Sequence, residues 1–164
     1  MDIPAFNKKA QAQKKDNERF FKRLRQKSPK DLDEIIHAEH DRVFEKTECL
    51  TCANCCKTTS PIFYERDIDR ASKALKMKPG NFIDAYLRID EDHDYVLQKS
   101  PCAFLGSDNH CSIYESRPTA CREYPHTNRK KMQQILNLTF NNTLVCPAVL
   151  KIIENIRIRL NQKG

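Results

Sequence analysis

The stretch Cys49-Leu-Thr-Cys52-Ala-Asn-Cys55-Cys56 places four thiols within eight residues, and four more follow singly at Cys102, Cys111, Cys121 and Cys146. Cys49, Cys52 and Cys55 are spaced C-x2-C-x2-C, so a tight loop can turn their sulfurs toward one centre. Thiolates that converge without a cation repel one another, and such an arrangement asks for a metal or for oxidation. The spacing matches the first three ligands of a bacterial-type iron–sulfur loop, and C-x2-C alone also suits a zinc knuckle. The thiols therefore set the terms for the fold: helices and short strands packed around a metal.

The composition fits that reading. A chain of 164 residues suits one domain with extensions. Hydrophobic residues make up 39% and there is no Trp, so the core is modest and a cross-linking metal would add folding free energy where burial is thin. In a secreted protein eight cysteines would suggest four disulfides. The N-terminus, however, has no apolar h-region and runs straight into charge, and no window reaches the roughly 18 apolar residues of a membrane helix. A reducing cytoplasm with ligating thiolates is the expected setting.

Net charge is +7, unevenly spread. Residues 1–30 hold ten basic and three acidic side chains, and residues 31–48 hold two and seven. The basic segment is able to touch nucleic acid or an acidic protein partner. The plainer expectation is a solvated helix whose charge is partly neutralised by the acidic segment after it.

Taken in order, residues 5–27 read as a polar helix with a short apolar stripe at Phe20, Phe21 and Leu24, broken at Ser28-Pro29. A second helix runs to about Lys46, with Asp31, Asp33 and Glu34 at its positive end. His37 and His40 share a face at i, i+3 but read as ordinary surface residues. Residues 58–63 look extended, and helices are expected at 65–77 and 81–87. The acidic run Glu91-Asp92-His93-Asp94 lacks the glycine and terminal glutamate of a calcium loop and reads as an exposed turn. Residues 95–98 and 102–105 are expected as short strands joined at Ser100-Pro101, with Gly106 to Asn109 as a turn before Cys111. Residues 131–140 suit helix or strand. Pro147 opens a last helix with a stripe of Val149, Ile152, Ile153, Ile156 and Leu160.

The expected fold is thus mainly α: packed helices around a cysteine-ligated metal core, with a short irregular β-hairpin. It divides into an N-terminal helical extension (1–47), a metal-binding region (48–147) and a C-terminal packing helix (148–164). Eight thiolates can complete two four-sulfur sites, or one with thiols left over. One site on Cys49, Cys52 and Cys55 plus a distant thiol is the expected partition. Side chains of the neighbours Cys55 and Cys56 are expected to diverge. Lys57, Arg117, Arg122 and the helix start at Cys146 are available to offset thiolate charge, and Arg117 and Arg122, which flank Cys121, are the expected supports of the bound group. The sequence offers no phosphate loop, no dinucleotide fingerprint and no nucleophile elbow, and it designates no catalytic residue.

The ordered set Cys49-x2-Cys52-x2-Cys55-Cys56, Pro101-Cys102-x-Phe-Leu and Cys111-x-Ile-Tyr-Glu-x-Arg117-Pro118-x2-Cys121-Arg122-x-Tyr-Pro125 resembles the CxxCxxCC family, whose members include YkgJ-like cysteine-cluster proteins. The resemblance covers roughly residues 48–147. It implies eight cysteine ligands holding zinc or an iron–sulfur cluster, in a small redox, metal-handling or accessory factor. A related cysteine pattern occurs in bacterial flagellin lysine N-methylases, which are similar in being linked to an iron–sulfur cluster. This chain looks too short for the rest of such an enzyme, so methyltransferase activity is not carried over. The alternative is a zinc-stabilised binding module whose basic N-terminal helix contacts nucleic acid or a protein.

Overall fold

The computed structural model describes residues 2–161 and is mainly α. Helices α1 (Ile3–Gln26) and α2 (Leu32–Phe44) come first, then a 3-10 turn at Cys49–Thr51 and the short α3 (Asn54–Thr58). Strand β1 (Ile62–Phe63), helices α4 (Glu65–Ala74) and α5 (Pro79–Tyr86), and strands β2 (Leu87–Ile89) and β3 (Tyr95–Leu97) follow. The chain closes with α6 (Thr119–Glu123), a 3-10 turn at Met132–Ile135, α7 (Leu136–Asn142) and α8 (Pro147–Asn161). Among the described residues no single helix is long and apolar enough to cross a membrane. The first residue and the last three, part of the expected segments 1–47 and 148–164, lie outside the described residues.

Contacts divide the chain into two compact units. The first is built from residues up to Cys49 together with those from Pro125 onward, and the second is Leu50–Tyr124. In the first unit, Phe20, Phe21 and Leu24 of α1 meet Leu32, Ile35 and Ile36 of α2, and Val149, Ile152, Ile153 and Ile156 of α8. These are the stripes expected from helical spacing, each a face presented every three or four residues. The ambiguous segment 131–140 is helical, and Met132 and Leu136 are buried in the same core. Its entry is fixed by Asp33, whose carboxylate accepts from the backbone amides of Lys131 (2.6 Å) and Met132 (2.9 Å). Asp33 thus caps a distant segment as well as standing in the first turn of α2. The two histidines of α2 do not pair: His37 Nε2 meets the Arg129 carbonyl at 2.8 Å, and His40 Nδ1 meets the Thr127 hydroxyl at 2.7 Å.

A polar seam joins α1 to α8. Glu154 takes hydrogen bonds from Lys9 (2.9 Å) and Gln13, and Arg157 donates to Asn17 Oδ1 (3.2 Å) and Gln13 Oε1 (3.4 Å). Lys9, Gln13 and Asn17 stand four residues apart, so one face of α1 supplies all three.

The second unit has a smaller core of Phe63, Ile68, Ala71, Phe82, Leu87, Leu97, Phe104 and Ile113. Its sheet is antiparallel with the order β1-β3-β2. This corrects the expected pairing of 95–98 with 102–105: β3 lies between Ile62–Phe63 and Leu87–Ile89. Residues 102–105 form no strand, and Leu105 makes a single antiparallel bridge to Cys111. The run Glu91–Asp94 is the expected turn, with Asp90 Oδ1 accepting from the amides of Asp92 and Asp94, each at 3.0 Å.

Candidate metal centre

The loop that carries the first thiols is shaped by its backbone. After the 3-10 turn at Cys49–Thr51, Ala53 adopts a left-handed conformation (φ 48°, ψ 22°) and α3 starts at Asn54. That reversal places Cys55 and Cys56 on a helical turn, with Cys52 in the approach to it. Lys57 Nζ donates to the Cys52 carbonyl at 3.2 Å and so folds its charge back over the loop. Asn109 Nδ2 donates to the Leu50 carbonyl at 2.7 Å, which pins the same loop to the turn before Cys111.

The expected divergence of Cys55 and Cys56 is not observed, because their Sγ atoms lie 4.0 Å apart. The Cys55 thiol can donate to a Cys56 thiolate, and this bond, assisted by the charge of Lys57, outweighs burial and brings the Cys56 pKa down to about 7. Cys102 is tied to the same place by its backbone, since its N–H donates to the Cys56 carbonyl at 2.9 Å. Cys111 returns toward Cys102 through a tight turn: Gly106 N–H donates to the His110 carbonyl at 2.7 Å, and Ser112 N–H donates to the Phe104 carbonyl at 2.8 Å. A Cβ at Gly106 would stand 2.6 Å from Asp108 Oδ1, on a side chain that is exposed and able to shift, and 3.3 Å from the His110 carbonyl, so the turn leaves little room there. Cys121 is carried by α6.

Cys56, Cys102, Cys111 and Cys121 share one electrostatic neighbourhood. Burial pushes the Cys102 thiol up, and charge on Cys56 or Cys111 raises it further. Cys111 is raised by burial and by Cys56. Cys121 is pushed up to about 12, by burial first and then by Cys56, Cys102 and Cys111. Each of these three resists ionising beside the others, whereas a bound cation would favour all four thiolates together. Among the described residues no three Cys, His, Asp or Glu side chains converge to metal-binding geometry, so the four thiols form a neighbourhood and not a closed ligand shell. As a donor set, four thiolates fit zinc or an iron–sulfur cluster.

The other predicted ligands are placed differently. Cys49 is exposed at the end of the first unit's N-terminal segment, and half-buried Cys52 lies on the loop before α3. Cys146 immediately precedes α8, is half-buried and packs against the helical core of the first unit. No disulfide links any of the eight.

The two arginines differ in role. Arg117 has its guanidinium 3.7 Å from the centroid of the Tyr114 ring, donates to the Tyr114 carbonyl at 2.6 Å, and lowers the pKa of both Cys111 and Cys121 by its charge. Arg122 braces the loop backbone, donating to the carbonyls of Arg117 (3.2 Å) and Glu115.

Sequence reasoning missed the residue that fixes this loop to the rest of its unit. Asp67 is fully buried at the start of α4, where it accepts from the Tyr64 amide (3.2 Å), Arg70 (2.6 Å), the Thr119 amide (3.1 Å) and the Thr119 hydroxyl (2.9 Å). Arg70 in turn donates to the Arg117 carbonyl at 2.8 Å. One carboxylate therefore anchors the first turn of α6, two residues before Cys121. The available signal was Asp67-x2-Arg70 at the opening of a helix, a spacing common on exposed helices and therefore uninformative about burial.

The structure thus brings thiols from three separate stretches of chain into one neighbourhood of the second unit. The sequence model of the CxxCxxCC family, described as "Putative zinc- or iron-chelating domain", matches residues 48–140, more than half of the chain, and the chain belongs to that family. No curated protein and no solved structure matches it.

Proposed function

We propose that this protein holds its metal in a four-thiolate centre built on Cys56, Cys102, Cys111 and Cys121, and acts as a small metal-handling or redox accessory factor in a reducing compartment such as the cytoplasm. The observation that supports this reading is that the half-buried Cys56 and Cys102 are joined through their backbone at 2.9 Å, with Cys111 returned toward Cys102 by the turn between them and the charge of Cys56 felt at Cys102, Cys111 and Cys121. The second unit has few buried apolar residues, so ligation would supply folding free energy that its core lacks. Arg117 offsets the charge of the loaded centre, and Asp67 holds the segment that carries Cys121. Bound there, the metal would supply charge compensation and, as an iron–sulfur cluster, an electron acceptor.

Iron–sulfur is the preferred assignment. Its support is from sequence alone: Cys49, Cys52 and Cys55, a ligand supply separate from the four thiols of the centre, stand at the spacing of a cluster loop. Anaerobic purification followed by assays of iron, acid-labile sulfide and zinc tests it. The expected result is visible absorption with iron and sulfide in matched amounts. Stoichiometric zinc without sulfide would leave the four-thiolate centre standing and remove the redox role. A protein isolated without bound metal, and unable to take up either one after anaerobic reconstitution, would overturn the proposal.

A further inference from the structure

Outside the thiol cluster, the first unit carries a second feature with chemistry of its own. A groove of about 550 Å³ runs along α1 beside the end of α8, lined by Asp16, Arg19, Lys22, Arg23, Gln26 and Arg157. Helical spacing puts Arg19, Lys22, Arg23 and Gln26 on one side of α1. Arg157 comes from α8 and is held by the polar seam, through Asn17 and Gln13, with only about a fifth of its side chain exposed. The single carboxylate is already engaged: Asp16 lies 2.5 Å from Arg19 and 3.8 Å from Arg157. Four cations and one carboxylate give the lining a net charge of +3.

The lining residues are all charged or polar, and the groove's apolar surface comes from their aliphatic stems alone. A protein partner would normally be met by a patch with an apolar middle. A cationic groove instead suits a polyanion held by its phosphates, with arginine forks matched to phosphate oxygens. With no aromatic platform for bases, such contacts are blind to sequence.

We propose that this groove binds the phosphodiester backbone of a single nucleic-acid strand, contacting two to three phosphates without reading bases. The surface belongs to the first unit and does not depend on which metal the thiols hold.

Fluorescence polarisation of a labelled twelve-nucleotide oligothymidylate and a mixed-sequence strand, titrated with the full metal-loaded chain, tests it. Both strands are expected to bind alike. The logarithm of the affinity should fall with the logarithm of salt at a slope of about −1.4 to −2.1, the value for two to three phosphates on a single strand. The double variant R19E/K22E changes two exposed side chains and is expected to weaken binding about tenfold or more at low salt with an unchanged melting temperature. K78E/K99E removes the same charge from exposed positions in the second unit and is expected to weaken it less than about threefold. R23Q serves as a milder variant should the charge reversals disturb folding. Equal loss in the two double variants, absence of binding at about 50 mM salt, or binding to phosphatidylserine vesicles but not to either strand would overturn the proposal.

Discussion

The backbone amide of Cys102 donates to the carbonyl of Cys56 at 2.9 Å, so two thiols forty-six residues apart in the chain are joined by main chain before any ligand is considered. Their relative position is a property of the fold. At the proposed centre a metal would meet two stretches of chain already joined, and less chain entropy would have to be lost on binding.

Replacing Cys56 or Cys121 with Ser is expected to lower the bound metal and to destabilise the second unit by several kcal/mol, because structural metal binding contributes directly to folding free energy. Metal-to-protein ratio and thermal unfolding check it. Full metal content and an unchanged melting temperature in both variants would remove these residues from the ligand set.

Asp67→Ala is expected to cost about 3–5 kcal/mol, the usual consequence of stripping the partner from a charge held in a buried pair, since Arg70 loses its carboxylate. The same change frees the turn before Cys121, so metal release to a chelator should accelerate. Asp67→Asn retains acceptor capacity for the Thr119 amide and should release metal more slowly than the alanine variant.

Arg117→Ala should also speed release, because it removes the positive charge that favours the Cys111 and Cys121 thiolates. Arg122→Ala removes only hydrogen bonds to loop carbonyls and should have the smaller effect. Release kinetics under one chelator concentration compare the two directly.

Acid should weaken the α1–α8 seam. Burial pushes the Glu154 carboxyl up, but hydrogen bonds from Lys9 and Gln13 and the charges of Lys9 and Lys151 outweigh it, so the folded pKa lies below the ordinary 4.5. The folded state therefore holds fewer protons on this group than the unfolded chain near that value. The resulting stability is fully present above about pH 4.5 and is lost as pH falls through the lower folded pKa. Glu154→Gln should cost about 2 kcal/mol at neutral pH, the scale of hydrogen bonds to a charged group. The gap to the parent protein should then shrink under acid. Unfolding of both proteins between pH 7 and pH 3 provides the comparison, and a constant gap would contradict it.

Helices were legible because each buries one face. Phe20, Phe21 and Leu24 on α1 and Val149, Ile152, Ile153 and Ile156 on α8 stand at helical spacing and form the core together. Strand pairing was not, because Ile62–Phe63 is only two residues long and Leu87 closes an apolar helical run. Nothing local specifies that Tyr95–Leu97 should lie between them. The supply of thiols was legible from spacing, but their partition was not. Adjacent helical side chains leave the axis about 100° apart, and their rotamers alone decide whether Cys55 and Cys56 meet. Asp67 was hidden for a similar reason: a carboxylate opening a helix looks the same in sequence whether it faces water or four donors.

The interleaved course of the chain has a bearing on synthesis. The second unit is one continuous stretch, whereas the first needs segments from both sides of it. Residues 50–124 are synthesised before α8, which supplies four of the largest buried side chains of the helical core. The thiols of the second unit therefore lie in one stretch that needs no later segment of chain to complete it, whereas the helical core of the first unit waits for α8.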